Sequence, residues 1–198
     1  METHQGQEVK EKILWAATGL FARRGYHGAS MKGIAEAAEV NKASLFYYFT
    51  SKNNLYSTVF QNLYDSFIHE LKQAEQSSHD IHKRMENLLR AYMKQFSESR
   101  QFVKLFIREF LDGEGTLKKP PQEFVEDLRR PLLDLFREGK QAGVFGNIDE
   151  EYLSMAIVGS LQVFYRLPLK IADEIQDEKV FETIMNLLKN GIYPGSDN

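Results

Sequence analysis

The chain has 198 residues, 42% of them hydrophobic, no cysteine and a formal net charge of −3. That is enough apolar material for one large domain or for a small head on a larger body, and it excludes a disulfide framework or a thiolate metal site. Residues 1–12 are polar and charged, unlike a secretory signal, and no apolar run approaches the roughly 18 residues of a membrane span. A cytoplasmic protein with no membrane partner is expected. Charge is unevenly placed: residues 1–55 hold seven Lys/Arg against five Asp/Glu, a balance of +2, so the remainder carries −5. A mildly basic head can still bind phosphate if its cations share one face.

Helical periodicity runs through the chain. Val9, Ile13, Ala16, Ala17, Leu20 and Phe21 make one stripe over residues 9–24, and Gly25, after Arg23 and Arg24, is placed to stop that helix. Ser30 is a good N-cap for a short helix over 31–38. Glu39 and Val40 form a tight turn, and Asn41 can cap a third short helix reaching about Tyr48. Ser51 opens a long helix in which Leu55, Val59, Leu63, Phe67 and Leu71 recur every four residues, widened by Tyr56, Phe60, Tyr64 and Ile68. Residues 76–79 read as a linker. Further helices are expected near 80–98, 101–112, 121–142, 149–170 and 177–190, with Pro131 and Pro168 predicting kinks or breaks inside their patterns. No segment alternates as a strand would. The predicted fold class is all-α.

Residues 30–52 are the most informative stretch. Ile34, Ala38, Val40, Leu45 and Phe49 supply a small core for two short helices across a tight turn, and Ala35 is small where those helices approach. The outward side chains of the second helix are Lys42, Ala43, Ser44, Phe46, Tyr47 and Tyr48. A cation, a hydroxyl and phenols on a short projecting helix suit a major-groove reader flanked by phosphate contacts.

The run I-L-x-A-A-x-x-L-F-A-x-x-G-Y at 13–26, then S-M-x-x-I-A-x-x-A, V-x-K-x-S-L-F-Y-Y-F and S-K, resembles the DNA-binding head of the tetracycline-repressor (TetR) family over residues 9–60. The resemblance implies an N-terminal three-helix head with a helix-turn-helix (residues 1–53) and a C-terminal helical ligand-binding and dimerisation bundle (54–198). It implies DNA contacts from Lys42, Ser44, Tyr47 and Lys52, and the outward residues Ala43, Phe46 and Tyr48 and the cap residue Ser30 are expected to join them, with Ser30 and Lys52 on phosphates. Glu39 stands where the turn commonly has Gly, so a left-handed backbone there carries a cost. Phe46 and Tyr48 stand where Tyr and His are frequent, and Phe46 suits a thymine methyl rather than a hydrogen bond.

The same resemblance places an effector pocket on segments carrying Tyr92, Phe96, Phe106, Phe124 and Tyr165, which points to an apolar or aromatic effector. It pairs the last two helices with their symmetry mates in a homodimer through Met155, Ala156, Gly159, Ser160, Val163, Val180, Ile184, Leu187 and Leu188. His69, Glu75, His79, Asp80 and His82 read as a polar linker with a helix cap at Asp80 rather than as a metal site. No nucleophile elbow, phosphate loop, H-E-x-x-H or dinucleotide fingerprint occurs, so neither an enzyme nor a cofactor is expected. The expected partners are double-stranded operator DNA and a small molecule, and the expected role is a ligand-released repressor. The alternative, supported by Glu39 and the low head charge, is a helical ligand-binding or scaffold protein without specific DNA recognition.

Overall fold

The structure is a computed structural model describing residues 4–98, 101, 103–105, 121–166 and 177–192, with the side chains of 121, 122, 163–166 and 192 left aside. Among the described residues there is no strand. Eight helices are delimited among the described residues: α1 (His4–Gly28), α2 (Met31–Ala37), α3 (Lys42–Tyr48), α4 (Lys52–Glu75), α5 (Ile81–Glu98), α6 (Pro121–Gln141), α7 (Glu150–Arg166) and α8 (Asp177–Ile192). Residues 101 and 103–105 are also helical; Pro168 and the rest of the helix expected over 101–112 lie outside the described residues.

The chain divides into two compact units. The first holds α1–α3, α4 as far as Ser66, and residues 101 and 103–105; the second holds α4 from Phe67, α5, α6 from Glu123, α7 and α8.

In the first unit α1, α2 and α3 pack on one another. Ile13, Phe21, Ile34, Leu45, Phe49, Leu55 and Tyr56 are all at most 2% exposed, which is the helical stripe of each element turned to a shared core. α1 begins five residues before the apolar stripe, in a polar turn where His4 and Glu8 pair at 3.2 Å. Gly25 does leave the helical conformation (φ 72, ψ 177), but helix resumes for one further turn to Gly28. The reason is Tyr26, whose ring packs edge-on to Tyr56 at 5.2 Å and against Phe21 at 6.4 Å. The left-handed kink, open to glycine without a Cβ penalty, turns that ring inward.

In the second unit α5 packs on α7 and α8. Its first turn is capped by Asp80, whose Oδ1 accepts from the His82 and Lys83 amides at 2.8 and 3.3 Å. Arg90 of α5 reaches Glu178 of α8 through two bonds of 3.0 Å and lies 3.6 Å over the Phe181 ring. α6 runs through Pro131 as one helix, so no break occurs there. Leu128, Leu132, Leu135 and Phe136, each at most 1% exposed, bury the face around the proline, and that packing outweighs one missing backbone bond. After α6 the chain turns through Gly143 (φ 69) and lays Phe145 on the helix it has just left. A Cβ at Gly139 would sit 2.1 Å from two Phe145 ring carbons, so the close approach requires glycine.

Among the described residues no helix is long and apolar enough to cross a membrane. Nor does any group of three or more His, Asp or Glu among them converge as a metal site would.

Candidate nucleic-acid interface

Two caps set the local geometry. Ser30 Oγ accepts from the Gly33 amide at 3.0 Å and Asn41 Oδ1 from the Ser44 amide at 2.7 Å. Each satisfies a donor that a helix N-terminus leaves open. Ser30 keeps its own O–H, which can donate to a phosphate. Between the helices Val40 donates to the Ala35 carbonyl at 3.0 Å, and Glu39 takes φ 55. A left-handed non-glycine residue costs about 1–2 kcal/mol. The tight turn therefore forms on the strength of its core, where Ala35, Ala38 and Leu45 are buried.

With Leu45 and Phe49 turned inward, the rest of α3 faces out. Tyr47 is 80% and Phe46 40% exposed; Lys42 and Ala43 are exposed, and Ser44 and Tyr48 half-buried. Tyr47 and Tyr48 meet edge-on at 5.0 Å, and the Lys42 ammonium lies 5.7 Å from the Phe46 ring centroid, one turn on. Lys52 opens α4, whose cap is Ser51, its Oγ accepting from the Asn54 amide at 3.0 Å. The Lys52 Nζ lies 4.4 Å from the Tyr26 ring centroid and 3.5 Å from the His27 carbonyl. Sequence reading placed Lys52 but missed Tyr26, 26 positions upstream. Only the fold brings the two together.

The body residues singled out from the sequence separate into kinds. Tyr92, Phe96 and Phe124 are at most 3% exposed. The Tyr92 hydroxyl donates to the Leu128 carbonyl, burial pushes its phenol well above the usual range, and its ring stacks on Phe96 at 6.4 Å. Phe106 and the Tyr165 and Val163 side chains lie outside the described residues. On α7, Met155 is 44% exposed, and Ala156, Gly159 and Ser160 are exposed. On α8, Leu187 is 69% exposed, Val180 half-buried, and Ile184 and Leu188 buried. Tyr152, 78% exposed and one turn before Met155, extends this surface; its spacing was the signal sequence reading passed over. An apolar groove of about 480 Å³ runs between the helices, lined by Leu153, Ala156, Ile157, Ile184 and Leu187 among others.

Among the described residues of the second unit, the buried Arg129 is paired through its terminal nitrogens, while its Nε and that of Arg84 are buried without a partner. Arg129 reaches Glu126, Glu151 and Ser154. Burial works against its charge, but the bonds to Glu126 and Glu151 outweigh it and raise the pKa. His82 spends its amide on the Asp80 cap, and His69 pairs with Gln73 at 2.8 Å.

Two short capped helices on a tight turn, with the second projecting aromatic and cationic side chains, define a helix-turn-helix protein. The family described as bacterial regulatory proteins, tetR family, matches residues 13–59, and the tetracyclin repressor-like C-terminal domain matches residues 78–166. The chain belongs to the TetR family and is a transcriptional regulator. It is 27% identical to the transcriptional regulator RutR of Escherichia coli K12 over 93% of this chain and 91% of that one. It is 28% identical to the biofilm operon negative regulator IcaR of Staphylococcus epidermidis over 50% and 52% of the two chains. The solved structure of AibR in complex with isovaleryl coenzyme A and operator DNA superimposes with a TM-score of 0.71 at 21% identity, covering 91% of this chain and 97% of the other.

Proposed function

We propose that the protein is a repressor that binds a near-palindromic operator as a homodimer and is released by a small apolar or aromatic molecule. The observation that carries the DNA reading is α3 itself: seven residues, with Tyr47, Phe46 and Lys42 outward and Leu45 and Phe49 holding it to the head. Tyr47, Lys42 and Ser44 are placed for base edges, Phe46 for a thymine methyl, and Ala43 for close approach to the groove floor. Tyr48 flanks the reader. Ser30 and Lys52, on the helices either side, are placed for phosphates. So short a reader buries too little surface for specific affinity alone, and two copies read half-sites about 34–36 Å apart.

The test is quantitative binding to the DNA upstream of the protein's own gene across a salt series. Lys52→Ala should weaken all sequences alike and lower the log–log salt slope by about 1 per subunit. Lys42→Ala or Ser44→Ala should change preference among sequences. An unchanged slope for Lys52→Ala would refute its phosphate contact. Loss of all preference for operator over random DNA in the unsubstituted protein would favour the scaffold reading.

The dimer reading rests on α7 and α8. Among the described residues a methyl at Gly159 or Gly191 would meet nothing within 4 Å. Glycine inside a helix, as at Gly159, costs about 0.8–1.0 kcal/mol relative to alanine, and no contact among the described residues recovers that cost. Close approach of a symmetry mate does recover it, by burying Tyr152, Met155, Ala156, Ser160 and Leu187 together.

The effector reading rests on the aromatic body, and AibR, a neighbour in fold, holds a branched acyl thioester. α4 belongs to both units, residues 52–66 to one and 67–75 to the other. A ligand that shifts α4 moves the reader helices off successive grooves. Linkage makes this measurable: an effector that weakens operator binding tenfold must bind the operator complex tenfold more weakly, a coupling of about 1.4 kcal/mol. Calorimetry with isovaleryl coenzyme A and a panel of apolar and aromatic acids, on free protein and on the operator complex, checks it. Equal affinity in the two states for a ligand held in the body rules out this switch.

A further inference from the structure

We propose that Tyr26 is a positioning residue for operator binding, holding the Lys52 ammonium ready for a phosphate before DNA arrives. The inference rests on the phosphate role of Lys52 proposed above.

The ring is a fixed platform. Tyr26 packs edge-on to Tyr56 at 5.2 Å, Tyr56 packs edge-on to Phe21 at 4.9 Å, and both of those partners are at most 1% exposed. Above the platform the Lys52 Nζ stands 4.4 Å from the ring centroid, a cation–π distance, and 3.5 Å from the His27 carbonyl. An ammonium has three N–H donors. One faces the carbonyl and one the ring, which leaves the third for a phosphate. The side chain is half-buried as a result.

Elsewhere a lysine on its four-carbon stem loses rotamer freedom when a phosphate captures it. Here part of that freedom is gone already, removed by the Gly25 kink (φ 72), which aims both the Tyr26 ring and the His27 carbonyl at the start of α4. This is preorganisation, which raises affinity by lowering the entropy lost on binding.

The test is a double-mutant cycle on the full-length protein with operator DNA. Tyr26→Phe keeps the ring and should bind as the unsubstituted protein does. Tyr26→Leu keeps an apolar filling but no π face, and should weaken binding roughly 5–30-fold for two copies. In the Lys52→Ala background Tyr26→Leu should add nothing. An equal loss in that background would overturn the proposal, because the effect would then belong to the packing of the head.

If Lys52→Ala itself changes neither affinity nor salt slope, the phosphate reading falls and this proposal falls with it. If Lys52→Ala acts but Tyr26→Leu does not, only the positioning role is lost. A measurement on the unsubstituted free protein stands beside the variants: the Lys52 ε-methylene protons should be shifted upfield by the ring current of Tyr26. Unshifted protons would overturn the proposal without any substitution.

Discussion

The double substitution Met155→Glu and Leu187→Glu is expected to leave a helical chain that sediments as a monomer and binds operator DNA no better than random sequence. Both side chains are solvent-facing within the protomer, 44% and 69% exposed, so the carboxylates cost the single chain little. In the proposed dimer they are buried without partners, and two-fold symmetry places four of them in one interface. At a conservative ~1 kcal/mol for each buried, unsatisfied group, the dimer dissociation constant rises about a thousandfold. A monomer offers a single seven-residue reader, so half-site recognition is lost along with the dimer. Analytical ultracentrifugation and a gel shift on the same sample check this, with circular dichroism reporting helix content. A stable dimer of the double variant at micromolar concentration would show that this face is not the interface.

Gly139→Ala should destabilise the protein although helix propensity alone predicts the reverse. Alanine inside a helix gains about 0.8–1.0 kcal/mol over glycine. At Gly139 the added methyl would lie 2.1 Å from two ring carbons of Phe145 and 3.0 Å from Ile81 Cδ1. The ring cannot swing away freely: Phe145 is 3% exposed and packs edge-on to Phe136 at 6.0 Å. Expelling it forfeits the burial of a phenyl group, about 1.5–3 kcal/mol, and over-packing adds strain of similar size. The clash wins, and for a chain of this length the melting temperature should fall by about 3–10 °C. Repeating the substitution in a Phe145→Leu background isolates the contact, because the smaller side chain leaves room for the methyl. A Gly139→Ala variant that melts above the unsubstituted protein would contradict the packing described here.

Much of this molecule was legible locally because a helix is a local object. The stripe from Leu55 to Leu71 follows from four-residue spacing. Ser30, Asn41, Ser51 and Asp80 cap helices because a short polar side chain can accept from an amide two or three positions ahead. The projecting face of α3 could be read for the same reason: once Leu45 and Phe49 are assigned to the core, geometry leaves Lys42, Phe46 and Tyr47 outside. The left-handed backbone at Glu39 was foreshadowed by the resemblance, which puts Glu39 where the turn commonly has Gly.

Composition could not separate aromatic core from aromatic pocket wall. Tyr92, Phe96 and Phe124 are deeply buried, and water exclusion selects the same side chains for both tasks. Pro131 was expected to kink the helix or to break it, and the break does not occur. The rule that proline breaks a helix weighs one lost hydrogen bond and a local clash, whereas the leucines around it are buried, which stabilises the continuous helix.

By itself the sequence determined most of the described helices, their caps, the turn at Glu39 and the outward face of α3, because each depends on residues within about one helical turn of one another. The tertiary structure alone decided what lies against what. It set the Tyr26 ring beneath Lys52, 26 positions away, and Phe145 in the notch that Gly139 leaves open. It also joined Arg90 to Glu178 across 88 positions, and left Tyr152, Met155 and Leu187 uncovered on one protomer. Those pairings have no spacing rule. They follow from how the apolar stripes of separate helices are buried together, and burial is a property of the whole fold.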